Sequence, residues 1–72
     1  MDFGAALDAL HAGHRVTRSG WNGPDQWIAL QMPDQHSKMT LPYLYIKTVD
    51  GQLVPWLGSQ TDLLARDWAA VS

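Results

Sequence analysis

The chain contains no cysteine, which excludes disulfide bonds and thiolate metal sites. It also contains no glutamate, so all seven acidic residues are aspartates, which suit caps and turns better than helix interiors. No apolar run approaches the roughly 18 residues that a membrane helix needs, so a membrane is not an expected partner. Basic residues are few: five lysines and arginines leave a net charge of −2. That sign is wrong for neutralising many phosphates, so long nucleic acid is not an expected partner either.

The chain is short, with 72 residues that we expect to form a single domain, 1–72. A chain of this length buries only about 60% of the surface that its unfolded form exposes, so its stability alone is expected to be marginal. With no cysteine available, assembly into a homo-oligomer is the expected source of further stability. The N-terminal segment MDFGAALDAL has an acid where a signal peptide has cations, so we expect a soluble, unsecreted protein.

Hydrophobic spacing predicts a helix followed by short strands. Phe3 and Leu10 belong to a helical pattern over residues 3–12, with Asp2 as N-cap and Gly13 at the C-terminal stop. Strands are predicted over 14–18 and 27–32, and a polar loop over 32–40. Later elements are a β-hairpin within 43–57, a helix of at most two turns within 60–66, and a final strand over 67–71. The order αββββα(β) predicts an α+β domain, with a small antiparallel sheet, an N-terminal helix and a short C-terminal helix.

The hairpin is predicted from Asp50-Gly51, which lies between two apolar runs and indicates a two-residue type I′ turn. This turn would pair Tyr45 with Trp56 and Ile46 with Pro55. Proline also predicts that its strand lies at an edge of the sheet or at a bulge. One face would then be the core face, with Leu44, Ile46, Leu53, Pro55 and Leu57. The other face would be exposed to a ligand or a partner, with Tyr43, Tyr45, Lys47, Val54 and Trp56.

Catalytic and metal chemistry find little support in the sequence. His11, His14 and His36 follow no zinc-binding spacing, and solvent-facing histidines are the simpler interpretation. Ser59 lies in no nucleophile elbow, and Asp62 and Asp67 are five residues apart, which does not place both on one helix face. No phosphate loop is present. We therefore expect no enzyme, no metal and no cofactor.

Two tryptophans, a tyrosine and an arginine are candidates for binding a ligand. Trp21 and Trp56 each offer a flat surface for stacking a base, worth roughly 1–3 kcal/mol per base. The alternative is that both simply pack in a core or between subunits. Tyr45 is a candidate because it shares the predicted exposed face. Arg18 ends a strand beside the turn GWNG, where it could meet a phosphate or extend into solvent.

Polar candidates cluster in the turn GWNG and in the segment SQTD. Asn22 could contact a ligand or form the turn. Ser59 and Asp62 have capping-box spacing, and capping by itself would account for Asp62. Gln60 and Thr61 would lie in the first helical turn, whose free N–H groups favour an anion. Because a carboxylate repels phosphate, a ribose hydroxyl donating to Asp62 fits better there than a phosphate.

Four segments together resemble a known family. They are MDFGAALDALHAG, VTRSGWNG, LPYLYIKTVDG and VPWLGSQTDLLARDW. They are similar to the small phage and prophage proteins of the second Thoeris anti-defence family. The likeness covers most of the chain in order and fails mainly in residues 24–40.

The resemblance implies a protein that sequesters a nucleotide signal without degrading it. Members of the family form small homo-oligomers, tetramers where known, and bind cyclic ADP-ribose isomers made by Thoeris defence; some also hold cyclic dinucleotides in separate pockets. The pocket lies between protomers, with aromatic residues on bases and polar groups on riboses and phosphates. Such a protein would act in the cytoplasm of the infected bacterial host. By motif, the implied contacts are Trp21, Asn22, Trp56, Ser59, Gln60, Thr61 and Asp62.

Three hypotheses follow from residues and resemblance together. The first is a sponge for cyclic nucleotide signals. The second is a structural homo-oligomer or protein-interaction module with no nucleotide ligand, and the third is a small hydrolase of the same nucleotides.

Overall fold

The fold begins with the predicted helix. The computed structural model describes residues 1–71, and its helix α1 runs over Phe3–His11. The Asp2 carboxylate accepts a hydrogen bond from the Ala5 N–H at 2.9 Å, which confirms the N-cap. Gly13 has φ 93°, a left-handed conformation that ends the helix where glycine was predicted to end it.

Five strands form one antiparallel sheet. They are β1 (Val16–Arg18), β2 (Trp27–Gln31), β3 (Tyr43–Lys47), β4 (Leu53–Pro55) and β5 (Trp68–Ala70). Their spatial order is β4-β3-β2-β1-β5, and a short helix α2 (Gln60–Leu64) precedes the last strand. The predicted α+β class and element order are confirmed. Strand β4 lies at an edge, as its proline predicted.

The predicted register of the hairpin is wrong by one residue. Thr48 closes the loop instead of Val49: its N–H donates to the Gln52 carbonyl at 2.8 Å, which leaves a three-residue loop. Gly51 has φ 85° at the last loop position, a conformation that glycine adopts without strain. Ile46 therefore pairs with Val54, and Tyr45 with Pro55.

This shift places the side chains of β4 on the opposite faces of the sheet from those predicted. Because side chains alternate between faces, Val54 and Trp56 share the core face with Leu44 and Ile46. The prediction that Trp56 shares an exposed face with Tyr45 is wrong. Leu57, predicted to lie in the core, is 93% exposed.

The core lies between α1 and one face of the sheet. Its buried residues are Ala6, Leu10, Val16, Ile28 and Trp68. Around the indole of Trp68 stand three more aromatic rings, those of Phe3, Trp21 and Trp56, with centroids 5.3, 5.4 and 6.0 Å from it. An aromatic cluster of this kind supplies a large share of the buried apolar area in so small a chain.

The opposite face of the sheet, which we call the outer face, is not covered by either helix within residues 1–71. It carries Trp27 packed edge-on against Tyr45, with ring centroids 6.0 Å apart. The Arg15 guanidinium lies 4.7 Å from the Trp27 ring centroid, in cation–π geometry. Among the described residues, no helix is long and apolar enough to cross a membrane.

Candidate functional site

The site begins at the turn GWNG, which follows β1. Trp21 donates its backbone N–H to the Arg18 carbonyl at 3.2 Å, closing a tight turn directly after the strand. The turn places the Trp21 indole edge-on against the buried Trp68, with an angle of 80° between the ring planes. Trp21 is therefore half-buried, with one part in the aromatic cluster and the rest accessible.

The first turn of α2 forms the second wall. The Ser59 hydroxyl accepts from the Asp62 N–H at 3.1 Å, and the Asp62 carboxylate accepts from the Ser59 N–H at 3.3 Å. The predicted capping box is confirmed. Gly58 precedes it because a Cβ there would lie 2.6 Å from the Trp56 ring. Glycine thus allows the chain to turn closely over Trp56 into the helix.

Asp62 also accepts hydrogen bonds from three other side chains. Its Oδ1 accepts from Arg18 Nη1 at 2.7 Å and from the Trp21 indole N–H at 2.9 Å. Its backbone carbonyl accepts from the Trp68 indole N–H at 2.9 Å. Burial would raise the pKa of Asp62, but hydrogen bonds from Trp21, Arg18 and Ser59 outweigh it and lower that pKa. The carboxylate therefore stays charged.

Arg18 lies between two carboxylates. Its Nε donates to Asp67 Oδ1 at 2.8 Å, while Nη1 holds Asp62. The pKa of Arg18 is raised, first by the hydrogen bond to Asp67. Asp67 Oδ2 also accepts from the Gly20 N–H at 2.7 Å, and the hydrogen bond from Arg18 is the main reason that the pKa of Asp67 is lowered. Arg18, for which a phosphate contact and extension into solvent were both considered, thus has two internal anionic partners.

These elements surround an open depression of about 240 Å³ on the core side of the molecule. Its lining residues are Trp21, Asn22, Gly23, Gln26, Ile46, Trp56 and Asp62. Four of the predicted site residues meet there: Trp21, Asn22, Trp56 and Asp62. Ser59 lies beside it through the capping box. We call this feature the tryptophan depression.

The sequence did not single out Gln26 or Ile46 for this site. Gln26 donates its side-chain amide to the Gly23 carbonyl at 3.3 Å, across the end of the turn. No motif marks Gln26, because its place depends on how the 23–26 loop folds back. Ile46 was expected in the core, and the corrected register is what places Trp56 on the same face of the sheet as Ile46.

Five predicted site residues do not line the tryptophan depression: Ser59, which lies beside it, and Tyr45, Gln60, Thr61 and Arg18. Tyr45 lies on the outer face, because its strand neighbour is Pro55 and its ring partner is Trp27. Gln60 and Thr61 are exposed in the first turn of α2. Arg18 stands behind the depression, in contact with Asp62. Within residues 1–71, no three histidine, cysteine, aspartate or glutamate side chains group to hold a metal ion.

Comparison with known proteins agrees with the motifs that flank this depression. The family model described as the Thoeris anti-defense 2-like domain matches residues 1–71. A curated protein, Thoeris anti-defense 2 of Bacillus phage SP01, is 36% identical over 85 aligned positions, which cover 100% of this chain and 96% of that protein. The chain therefore belongs to the Thoeris anti-defense 2-like family, and this membership supports an anti-defence role.

Proposed function

We propose that this protein binds and sequesters cyclic ADP-ribose isomers, the immune signals of Thoeris defence, without degrading them. The observation that carries the proposal is the tryptophan depression. Two indoles and an exposed amide converge on one open cavity, and they come from two of the four segments that resemble the family. The protein would act inside the infected bacterial cell, where the signal is made.

The lining chemistry suits the nucleoside part of such a ligand. Trp21 and Trp56 remain partly exposed at the depression, so either indole can stack on a base. The amide of Asn22 both donates and accepts, which fits a base edge or a ribose hydroxyl. Gln60 and Thr61, exposed in the adjacent helical turn, would contact the part of the ligand that leaves the depression.

The size and charge of the depression favour a shared pocket. Its volume of about 240 Å³ is below the roughly 300–1,000 Å³ of most small-molecule sites. Its lining includes the Asp62 carboxylate and no lysine or arginine among the described residues. A second protomer would therefore supply both the missing volume and the cations for the phosphates. We propose a homotetramer, as the family resemblance implies.

A separate observation favours cyclic dinucleotides as additional ligands. The outer face has its own depression of about 510 Å³, lined by Arg15, Thr17, Asp25, Gln26, Trp27, Lys47 and Val71. Two cations and an indole are the groups that a ligand with two phosphates and two bases requires. Binding there would not compete with a ligand in the tryptophan depression.

Recovery of the ligand tests the function. The protein is incubated with the cyclic ADP-ribose isomer, freed of unbound nucleotide, denatured, and the released nucleotide is identified by chromatography. A sponge returns the isomer intact, a hydrolase returns a product, and an interaction module returns nothing.

Two variants locate the ligand. Trp21→Ala should weaken binding by roughly 1–3 kcal/mol for a lost stack, measured by calorimetry. His36→Ala, in an exposed loop away from the depression, is the matched control and should bind like wild type. Equal affinity of the two variants would show that the ligand lies elsewhere. Light scattering of the same samples should give several times the 8.0 kDa chain mass.

A further inference from the structure

We propose that Asp62 is a positioning residue, which fixes the indole of Trp21 for stacking and does not itself touch the ligand. This inference rests on the proposed function, because it assigns a role within the same depression. It replaces the expectation that a ribose hydroxyl donates to Asp62. The observation that carries it is the set of hydrogen bonds in which both carboxylate oxygens already take part.

Three hydrogen bonds already engage the carboxylate, and Oδ1, which accepts two of them, has no lone pair left for a ligand. Oδ1 accepts from Arg18 Nη1 at 2.7 Å and from Trp21 Nε1 at 2.9 Å, and Oδ2 accepts from the Ser59 N–H at 3.3 Å. The Arg18 and Asp62 side chains are only 13% and 15% exposed. At Oδ1, a ligand hydroxyl would have to displace a charge-assisted bond or a buried indole bond, and Oδ2 already takes part in the capping box.

Trp21 is held by hydrogen bonds to both its side chain and its backbone. Its ring N–H is bonded to Asp62, and its backbone N–H is bonded to the Arg18 carbonyl at 3.2 Å. The preceding Gly20 N–H is bonded to Asp67, which is itself bonded to Arg18. Arg18 thus links the two carboxylates that fix the turn and the ring. A ring held in this way loses less freedom when a base stacks on it.

The Trp56 indole, in comparison, is positioned by packing alone. Its ring centroid lies 6.0 Å from those of Phe3 and Trp68, and the Asp62 carboxylate bonds the indole of Trp21 and not that of Trp56. Only Trp21 therefore depends on a carboxylate for its orientation. The two indoles of one depression provide an internal comparison.

The experiment combines a measurement on the free protein with a double-mutant cycle. Hydrogen exchange of the indole N–H protons is followed by NMR, and the Trp21 signal is identified by its absence in Trp21→Phe. Affinity for the cyclic ADP-ribose isomer is measured for wild type, Asp62→Ala, Trp21→Phe and the double variant. Trp21→Phe keeps a stacking ring but has no N–H for Asp62.

If Asp62 positions Trp21, Asp62→Ala should speed exchange of the Trp21 indole proton by about tenfold or more. It should also weaken binding by a factor of the order of one lost stack, about 5- to 150-fold. In the Trp21→Phe background the same change should cost less than about twofold, since the bond is already absent. An equal loss in both backgrounds would mean that Asp62 touches the ligand, and unchanged exchange would mean that the indole is not held; either result overturns the proposal.

Asp2→Ala is the matched control. It also removes a carboxylate that caps a helix, but it has no tryptophan partner. It should lower stability without changing Trp21 exchange or affinity. A similar effect of Asp2→Ala on Trp21 exchange or on affinity would mean that Asp62 acts only through the overall stability of the fold, which would overturn the proposal.

Asp62→Asn covers the case in which Asp62→Ala fails to fold. The asparagine carbonyl can still accept from the Trp21 indole, so exchange and affinity should stay within about threefold of wild type. A loss of affinity of tenfold or more, with exchange unchanged, would show that the ligand needs the charge and would overturn the proposal. If wild type binds no isomer, the proposed function fails, and the exchange measurements decide by themselves whether Asp62 holds the ring.

Discussion

The two faces of the sheet differ in whether their charged and aromatic side chains are enclosed by other parts of the chain. On the core side, Arg18 is enclosed by Asp62 and Asp67, and the aromatic rings pack around a Trp68 that is 2% exposed. On the outer face, Arg15 and Lys47 border a shallow depression, and Trp27 and Tyr45 are covered by no other element of the described chain. The comparison teaches that the chain satisfies the charges and buries the aromatic rings of its core side by itself. The outer face is left available for contacts with another molecule.

The strongest way to break the core side is to remove its central ring. Trp68→Ala should cost about 3–5 kcal/mol, because a fully buried tryptophan leaves a large cavity. It also removes the indole that donates to the Asp62 carbonyl. Denaturant unfolding followed by circular dichroism should find this variant largely unfolded. A loss below about 1 kcal/mol would contradict the central place of Trp68.

The outer face is tested by a charge placed within it. Tyr45→Asp should lower the mass in solution towards the 8.0 kDa monomer, because a carboxylate among aromatic side chains opposes burial against a partner. The control is His36→Asp, in an exposed loop, which should keep the wild-type mass. Light scattering at several concentrations measures both. An unchanged mass for Tyr45→Asp would mean that the subunits meet elsewhere.

Neighbouring residues test which side of β4 faces the core. Trp56→Ala should cost about 2 kcal/mol, roughly half the value for a fully buried ring, because Trp56 is half-buried against Phe3 and Trp68. Leu57→Ala should change stability by less than about 0.5 kcal/mol, since Leu57 is 93% exposed. Thermal unfolding of both variants is the measurement. The reverse order would support the register predicted from the sequence.

The smallest effect at neutral pH concerns the carboxylates of the core side. The folded protein lowers the pKa of Asp62 and Asp67 from the ordinary value of 3.8, through hydrogen bonds that include those of Arg18. Their contribution to stability is therefore complete above pH 3.8 and is lost as pH falls through the lowered values. Stability measured by urea unfolding should fall in that acidic range. Asp62→Asn should flatten the drop, and an identical slope would assign the acid sensitivity to other groups, such as Asp50, whose pKa is also lowered.

Much of the fold could be predicted because its signals are local. The caps at Asp2 and Ser59, the helix stop at Gly13 and the edge position of Pro55 each depend on a few adjacent residues. The hairpin register could not be fixed in this way. Asp50-Gly51 suits a two-residue turn and also a three-residue loop, and the Thr48 side chain, which bonds Asp50 and the Gln52 N–H, accompanies the longer one.

The candidate site also has a part that local sequence predicts and a part that it does not. The motifs marked Trp21, Asn22, Trp56 and Asp62, and the structure brings these four together. Nothing in the local sequence could show that Arg18 meets carboxylates 44 and 49 residues away. That juxtaposition depends on the pairing of β1 with β5, which only the complete sheet determines.

The long reach of Arg18 has a consequence for the order of folding. Its carboxylate partners, Asp62 and Asp67, follow β1, β2, β3 and β4 in the chain, so they are synthesised after those four strands. Contacts so far apart in sequence carry a large loop-closure cost and slow the folding of a small domain. The Trp21 indole therefore acquires its carboxylate partner only after β1, β2, β3 and β4 have been synthesised. A nascent chain that pauses before residue 62 holds the two indoles but not the bond that orients the first of them.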